Sequence, residues 1–476
     1  MKHSVKTTGM IVNVNTSPST WRTLATSSLG FMLIQLDVTI VNVGLPHIAE
    51  TFHGSIAGLQ WVVDAYTLVF AGMMLSAGAL ADRYSARRAF MGGVVLFALA
   101  SIICAASVSL EMLIAARIVQ GMGAALVMPS SLALVRDAFP TAAPRAHAIG
   151  VWGAAGGAAT AAGPVVGGAL IAWLGWRSLF WVNVPLGVIA VGLLPREAGR
   201  RHHPVTINAA NTVYVTGAVA LLVAGLITAP ASGWIGIQTF VYLAAGLALF
   251  ALFLGMERRA ARPLIPSELA GDPRFHAIVA GGFIVNVGFY GLVFVLSLYW
   301  QDVRDLSPLA TGFTFLPLTL QVIFTSLIAS RWVARDRGML PIIAGFALAA
   351  CGYIGLLLVN RAASVETFFL PLLAVGVGTV TAVTALTAGV LARVSTVHAG
   401  KASAAFNAAR QMGAATGVAI FGALVADRAR FLHGMDVAMT IAAAISLGAV
   451  LLIGYTSFRF PSVAPVDENA DGNDGR

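Results

Sequence analysis

The sequence predicts an all-α integral membrane protein, and three observations carry that reading. Hydrophobic residues make up 58% of the 476 and charged residues only 10%. Soluble domains carry about 25% charged residues. Mean hydropathy is +0.85. The apolar residues also fall in long continuous runs. Such runs suit spanning helices of about 20 residues, not the alternating pattern of barrel strands.

The elements follow in order. A polar tail, 1–22, precedes a first run at 23–45. That run is too long for the apolar core of a cleavable signal peptide. Further runs lie at 61–80, 89–108, 110–133, 148–173 and 178–195, and each is long enough to span. A short basic linker leads to a pair at 210–228 and 236–256. Six more follow at 276–300, 307–329, 339–359, 366–391, 402–426 and 437–458. The chain thus divides into a six-helix bundle (23–195), a linker with two inserted helices (196–275), a second six-helix bundle (276–458) and an acidic tail (459–476) expected to be disordered. The charged loop after the second run, Asp82 to Arg88, has a counterpart after the tenth, Arg331 to Gly338. Internal symmetry of this kind is a transporter design.

Charge placement fixes the expected topology. With the N-terminus inside, 22 of the 29 Lys and Arg fall on cytoplasmic segments, 5 on outer loops, and two, Arg117 and Arg410, within runs. This positive-inside bias predicts cytoplasmic termini. It also explains the net charge of +9 without a nucleic-acid partner. Cys104 and Cys351 both lie in apolar runs and are expected to be reduced and buried. The sequence contains no HExxH, no GxxxxGK[ST] and no DDxxD. It offers no residues for metal hydrolysis, ATP-driven transport or prenyl transfer. No cofactor is expected, and the energy source would be an ion or substrate gradient.

Ionisable groups inside the bilayer are expensive and default to function. Glu111 and Glu366 stand at the very ends of their runs; among the acids only Asp37 and Asp64 fall further inside. Asp37 is the candidate proton site; the alternative is a structural acid bonded to Thr39, Asn42 or an arginine. Asp64 is a second candidate for proton coupling; it lies three residues into its run, where water near the outer interface would reach it, and the alternative is a helix-start acid favoured by the dipole. Arg117 stays charged and needs a partner, for which Asp37 and Asp64 are the embedded candidates; the alternative is a fixed arginine satisfied by backbone carbonyls. Arg410 either snorkels to the cytoplasmic end or lines a cavity. The loop containing Gly78, Asp82, Arg83, Arg87 and Arg88 can bridge helix ends and lock one face. Gly163, Pro164, Gly167 and Gly168 give the fifth run close packing and a bend. Tyr66, Trp152, Asn286, Tyr290, Gln321, Phe406 and Asn407 are candidate substrate-lining residues, since aromatic and amide groups suit amphipathic ligands.

Together these motifs resemble the major facilitator superfamily, in its fourteen-span drug/proton antiporter branch. The resemblance runs through Gly78-x-Leu80-Ala81-Asp82-Arg83-x-x-x-Arg87-Arg88, where Ser85-Ala86 replaces the usual glycine. It continues through Leu36-Asp37-x-Thr39-Ile40-Val41-Asn42-Val43-x-Leu45-Pro46 and Arg117-x-x-Gln120-Gly121-x-Gly123. Gly163-Pro164-x-x-Gly167-Gly168, Trp176-Arg177-x-x-Phe180-x-x-Asn183-x-Pro185 and Asn407-x-x-Arg410-Gln411-x-Gly413 complete it. It implies a major-facilitator-type fold of 14 helices in a bacterial inner membrane. It implies proton-coupled export of amphipathic antibiotics or biocides by a monomer, with Asp37 as coupling acid and Arg117 near it. Members that export dications carry extra acids late in the chain. This chain has none in the core of its last six spans, so monocationic, neutral or weakly acidic substrates are expected. The competing readings are a single-substrate metabolite or antibiotic carrier and, from another class, a membrane sensor or enzyme.

Overall fold

A computed structural model of the chain describes residues 18–196, 209–259, 269, 271–335, 339–358, 364–392 and 399–459. These residues are almost wholly helical. Without water to accept backbone hydrogen bonds, a spanning segment must satisfy them internally. The first group is α1 (Pro18–Phe52), α2 (Ile56–Tyr84), α3 (Ala86–Ala105), α4 (Leu110–Ala138), α5 (Ala142–Leu174), α6 (Ser178–Trp181) and α7 (Asn183–Leu193). A hairpin follows, α8 (Ala209–Ser232) and α9 (Ile237–Arg259). The last group is α10 (Pro273–Leu298), α11 (Pro308–Thr314), α12 (Leu316–Thr319), α13 (Val322–Arg335), α14 (Leu340–Leu356), α15 (Phe369–Leu391), α16 (Ala399–Leu424) and α17 (Phe431–Arg459). Eleven helical segments are long and apolar enough to cross a membrane.

Local chemistry sets the ends. Ser109 accepts from the Met112 amide to start α4. Asp272 and Ser307 do the same for α10 and α11, each with proline at the first helical position. Gly175 ends α5 at φ 76°, a conformation that costs glycine little. Two expected single spans are broken: the sixth divides into α6 and α7, and the tenth into α11, α12 and α13, where Pro308 and Pro317 each begin a new segment. Pro164, by contrast, leaves α5 continuous. A π-helical turn, Tyr299–Val303, extends α10 and seats Tyr299 and Trp300 in the core.

The two groups meet along a seam. The second helix of the first group, α2, packs on α16; its fifth, α5, packs on α11–α13; and α1 meets α10. The hairpin packs on itself and through α8 on α2 and α16. Seam hydrogen bonds gather toward the end carrying the α1–α2 turn. Ser297 donates to the Asn42 carbonyl (2.6 Å) and Gln301 to the Val43 carbonyl (3.0 Å). Gln60 donates to the carbonyls of Val418 (3.0 Å) and Ala419 (2.7 Å). At that same end a cavity of about 770 Å³ is lined by His47, Glu50, His53, Asp302, Asp305 and Arg428, among others. The outer surface is apolar, with Trp173, Val188, Leu247, Phe324 and Leu451 exposed as lipid contact demands. Cys104 is buried as expected, but Cys351 is exposed, because a membrane protein can turn apolar residues outward.

Candidate functional site

The centre of the first group is a closed polar network inside apolar packing. Asp37, on α1, is fully buried, and Arg117, on α4, is 1% exposed. Arg117 Nη1 donates to Asp37 Oδ2 at 2.5 Å. The second carboxylate oxygen accepts from Gln120 Nε2 and from Asn183 Nδ2, both at 2.9 Å. Arg117 also donates to Gln120 Oε1 (2.7 Å) and, through Nε, to the Val62 carbonyl (3.0 Å). Its guanidinium lies 4.2 Å from the Tyr66 ring centroid. Gln120 donates onward to Ser101 (2.8 Å).

Helix geometry makes this possible. Arg117 and Gln120 stand three residues apart on α4 and so share a face. Asn183 opens α7 at the break in the sixth span. Glycines bring the helices close enough. A Cβ on Gly163 would collide with Thr39, one on Gly167 with Ile40, and one on Gly156 with Phe31. These α5 glycines therefore seat α1 around Asp37. Gly168 abuts the Pro308 carbonyl and carries the packing across the seam.

Asp37 pairs with Arg117, the contact expected both of a coupling acid and of a structural acid held by an arginine. The alternative partners, Thr39 and Asn42, instead bond to carbonyls of their own helix. Asp64 departs from expectation. It lies in the third turn of α2, fully buried, with both oxygens lacking a hydrogen-bond partner. The sequence missed Ser101 and the contact made by Asn183. The available signal was a line of neutral polar residues in apolar helices.

The loop residues divide. Gly78, Asp82 and Arg83 lie outside the residues whose side chains are described. Arg87 donates to the Pro195 carbonyl (3.1 Å), tying α3 to the end of α7, and Arg88 is exposed. Ser85, where the glycine was displaced, holds φ 148°.

Among the candidate lining residues, Tyr66 belongs to the arginine network. Trp152 stacks on Phe31 at 4.0 Å and donates to Ser131, so it serves packing within the first group. Gln321 donates to the Leu318 carbonyl and stands apart from the others. Asn286, Tyr290, Phe406, Asn407 and Arg410 come together between α10 and α16. Arg410 Nη1 donates to Asn407 Oδ1 (3.3 Å), and its guanidinium lies 5.9 Å from the Phe406 ring. Arg410 is the twelfth residue of α16, on the order of 17 Å from its start. That is mid-helix, not the snorkelling position at its end.

A helical bundle with an apolar exterior, paired halves and a charge couple buried in its centre defines a membrane transporter. Comparison with known proteins makes the class specific: the Major Facilitator Superfamily model matches residues 27–418, and the chain belongs to that family. It is 35% identical to the methylenomycin A resistance protein of Bacillus subtilis over 449 residues, 93% of this chain and 95% of that one. It is 36% identical to the multidrug resistance protein Stp of Mycobacterium tuberculosis, over 85% of this chain and 75% of that one. It is 33% identical to the tetracenomycin C resistance and export protein of Streptomyces glaucescens, over 86% of this chain and 76% of that one. Among solved structures, a bacterial homologue of the human lysosomal transporter Spinster shares the fold (TM-score 0.68, 17% identity, 95% of this chain and 100% of that one). The chain is a transporter, not an enzyme.

Proposed function

We propose that the protein is a proton-coupled exporter of amphipathic antibiotics or similar compounds, working by alternating access in a bacterial inner membrane. The observation that carries this reading is the buried Asp37–Arg117 couple. The relatives named for antibiotic resistance and export support the substrate class. Fourteen spans fit the reading: the eleven long apolar segments together with Ser178–Leu193, Leu340–Leu356 and Ala399–Leu424. They make two six-span halves with one inserted hairpin, both termini in the cytoplasm. The protein acts as a monomer on protons and a small substrate, and needs no cofactor.

The couple supplies the mechanism. A proton on Asp37 removes the counter-charge from Arg117, and a buried cation without its partner is destabilised by several kcal/mol. The protein then favours a conformation in which Arg117 is better solvated. Helix α1 carries the change. Asp37 and the Asn42 and Val43 carbonyls that hold the seam stand five and six residues apart on it, about 8–9 Å along the axis. A shift of α1 at Asp37 therefore loosens the seam.

The test is survival across an antibiotic panel in a bacterium stripped of its own efflux pumps. Wild type should protect and Asp37→Asn should not. Equal protection by the variant would remove Asp37 from coupling. Protection against one compound alone would favour a dedicated carrier, a narrower reading suggested by relatives named for single antibiotics.

A further inference from the structure

We infer that Arg410, with Asn286 and Tyr290, receives the anionic group of a negatively charged amphipathic substrate; this rests on the export reading above and names the substrate class of that same transporter.

Three observations converge. First, Arg410 is half-buried at mid-helix, and its interactions among the described residues are with Asn407 and Phe406 and, electrostatically, with Tyr290. Among the described residues no carboxylate neutralises it, unlike Arg117. A guanidinium held deep in a bundle without a counter-charge is costly and awaits one. Second, two unpartnered side-chain atoms on these helices are donors. Arg410 Nε is buried without an acceptor, and so is Asn286 Nδ2, on a side chain only 3% exposed. Two orphaned donors call for a ligand rich in acceptors, as a carboxylate, sulfonate or enolate is. Third, the packing aims them together. Gly282, Asn286 and Tyr290 recur every four residues along one stripe of α10, and a Cβ on Gly282 would stand 3.1 Å from Arg410 Cγ. Gly413 and Gly417 press α16 against the α10 backbone at Phe283 and Val287. Arg410 therefore lies over the stripe that carries the amide and the phenol. Phe406 adds an aromatic wall for the apolar part of the ligand.

Position links this site to the proton network. Tyr290 lies within electrostatic range of both Arg410 and Tyr66, and Tyr66 lies under Arg117. A negative charge delivered to Arg410 is thus felt along a chain of residues crossing the seam toward Asp37.

The test uses two probes with the same rings, one with and one without a charge: 8-anilinonaphthalene-1-sulfonate and N-phenyl-1-naphthylamine. Both are transported in proteoliposomes of purified protein carrying a proton gradient. Arg410→Gln should raise KM for the sulfonate at least tenfold and leave KM for the neutral amine within twofold. Arg410→Lys should recover part of the loss, since a point charge remains but the planar fork does not. Equal losses for both probes would make Arg410 a structural residue and overturn the inference. So would no loss for either, or a wild type that moves only the neutral amine, although that last result leaves the export reading intact. A wild type that moves neither probe removes both readings.

Discussion

The Asp37–Arg117 couple makes a quantitative prediction. Arg117→Met leaves the Asp37 carboxyl with only its two amide donors, and Asp37→Asn leaves the Arg117 guanidinium buried without a charge partner. Breaking a buried pair from one side costs about 3–5 kcal/mol. For a protein of this size 1 kcal/mol corresponds to roughly 2 °C in Tm, so each single variant should melt on the order of 6–10 °C below wild type. The double variant Asp37→Asn/Arg117→Met removes both charges together and leaves Gln120, Asn183 and the new amide to bond one another. Neutral replacement of a buried pair is often close to isoenergetic, so the double variant should regain more than half of the lost Tm. Intrinsic tryptophan fluorescence of detergent-purified protein, with 9 tryptophans available, reads the transition. Proton-coupled export in proteoliposomes should be lost in all three variants, because restoring packing does not restore a protonatable group. If the double variant melts at the sum of the single losses, the two residues are energetically independent. The coupling argument would then fall with the geometry that supports it.

Three further outcomes follow from other parts of the molecule. Ser85 sits at φ 148°, a conformation nearly reserved for glycine; strain of about 1–3 kcal/mol is stored there, so Ser85→Gly should raise Tm by a few degrees and Ser85→Val should lower it. Gly163→Ala drives a Cβ into Thr39 and should cost about 1–3 kcal/mol, measured as lower Tm and weaker resistance, with Thr39→Ala restoring part of both. Gln60→Leu removes the two seam bonds to Val418 and Ala419, each worth about 1 kcal/mol. In a variant with both native cysteines replaced, it should raise maleimide labelling of Thr311→Cys, a buried seam position, by about tenfold; an unchanged rate would show that those bonds do not hold the seam.

Much of this was legible because a membrane chain writes its fold in hydropathy. Continuous apolar runs marked the helices, and embedded charges marked Asp37 and Arg117 as worth a partner. Their pairing was inferable because so few partners exist: a buried guanidinium is best satisfied by an acid, and the chain offers only two away from the ends of its runs. What stayed hidden follows from the same physics. Neutral polar side chains cost too little at depth to stand out, so the roles of Ser101 and Asn183 stayed hidden until the fold brought Asn183 to the Asp37 carboxylate and Ser101 to Gln120 beside it. Helix breaks stayed hidden as well, since Pro164 leaves α5 whole while Pro317 opens a new segment; a proline's effect depends on what its neighbours can satisfy. Depth along a run misled most at Asp64. Counting from the run's start put it near water, but α2 begins five residues earlier and packs on α16, so the carboxyl is enclosed. At Arg410 the sequence left an end position and a cavity position open, and the length of α16 before it decides for mid-helix, over the Gly282 stripe of α10. Charge identity is thus readable from one dimension, but charge environment is set by which helix lies opposite, and here that neighbour separates an arginine with an acid from an arginine without one.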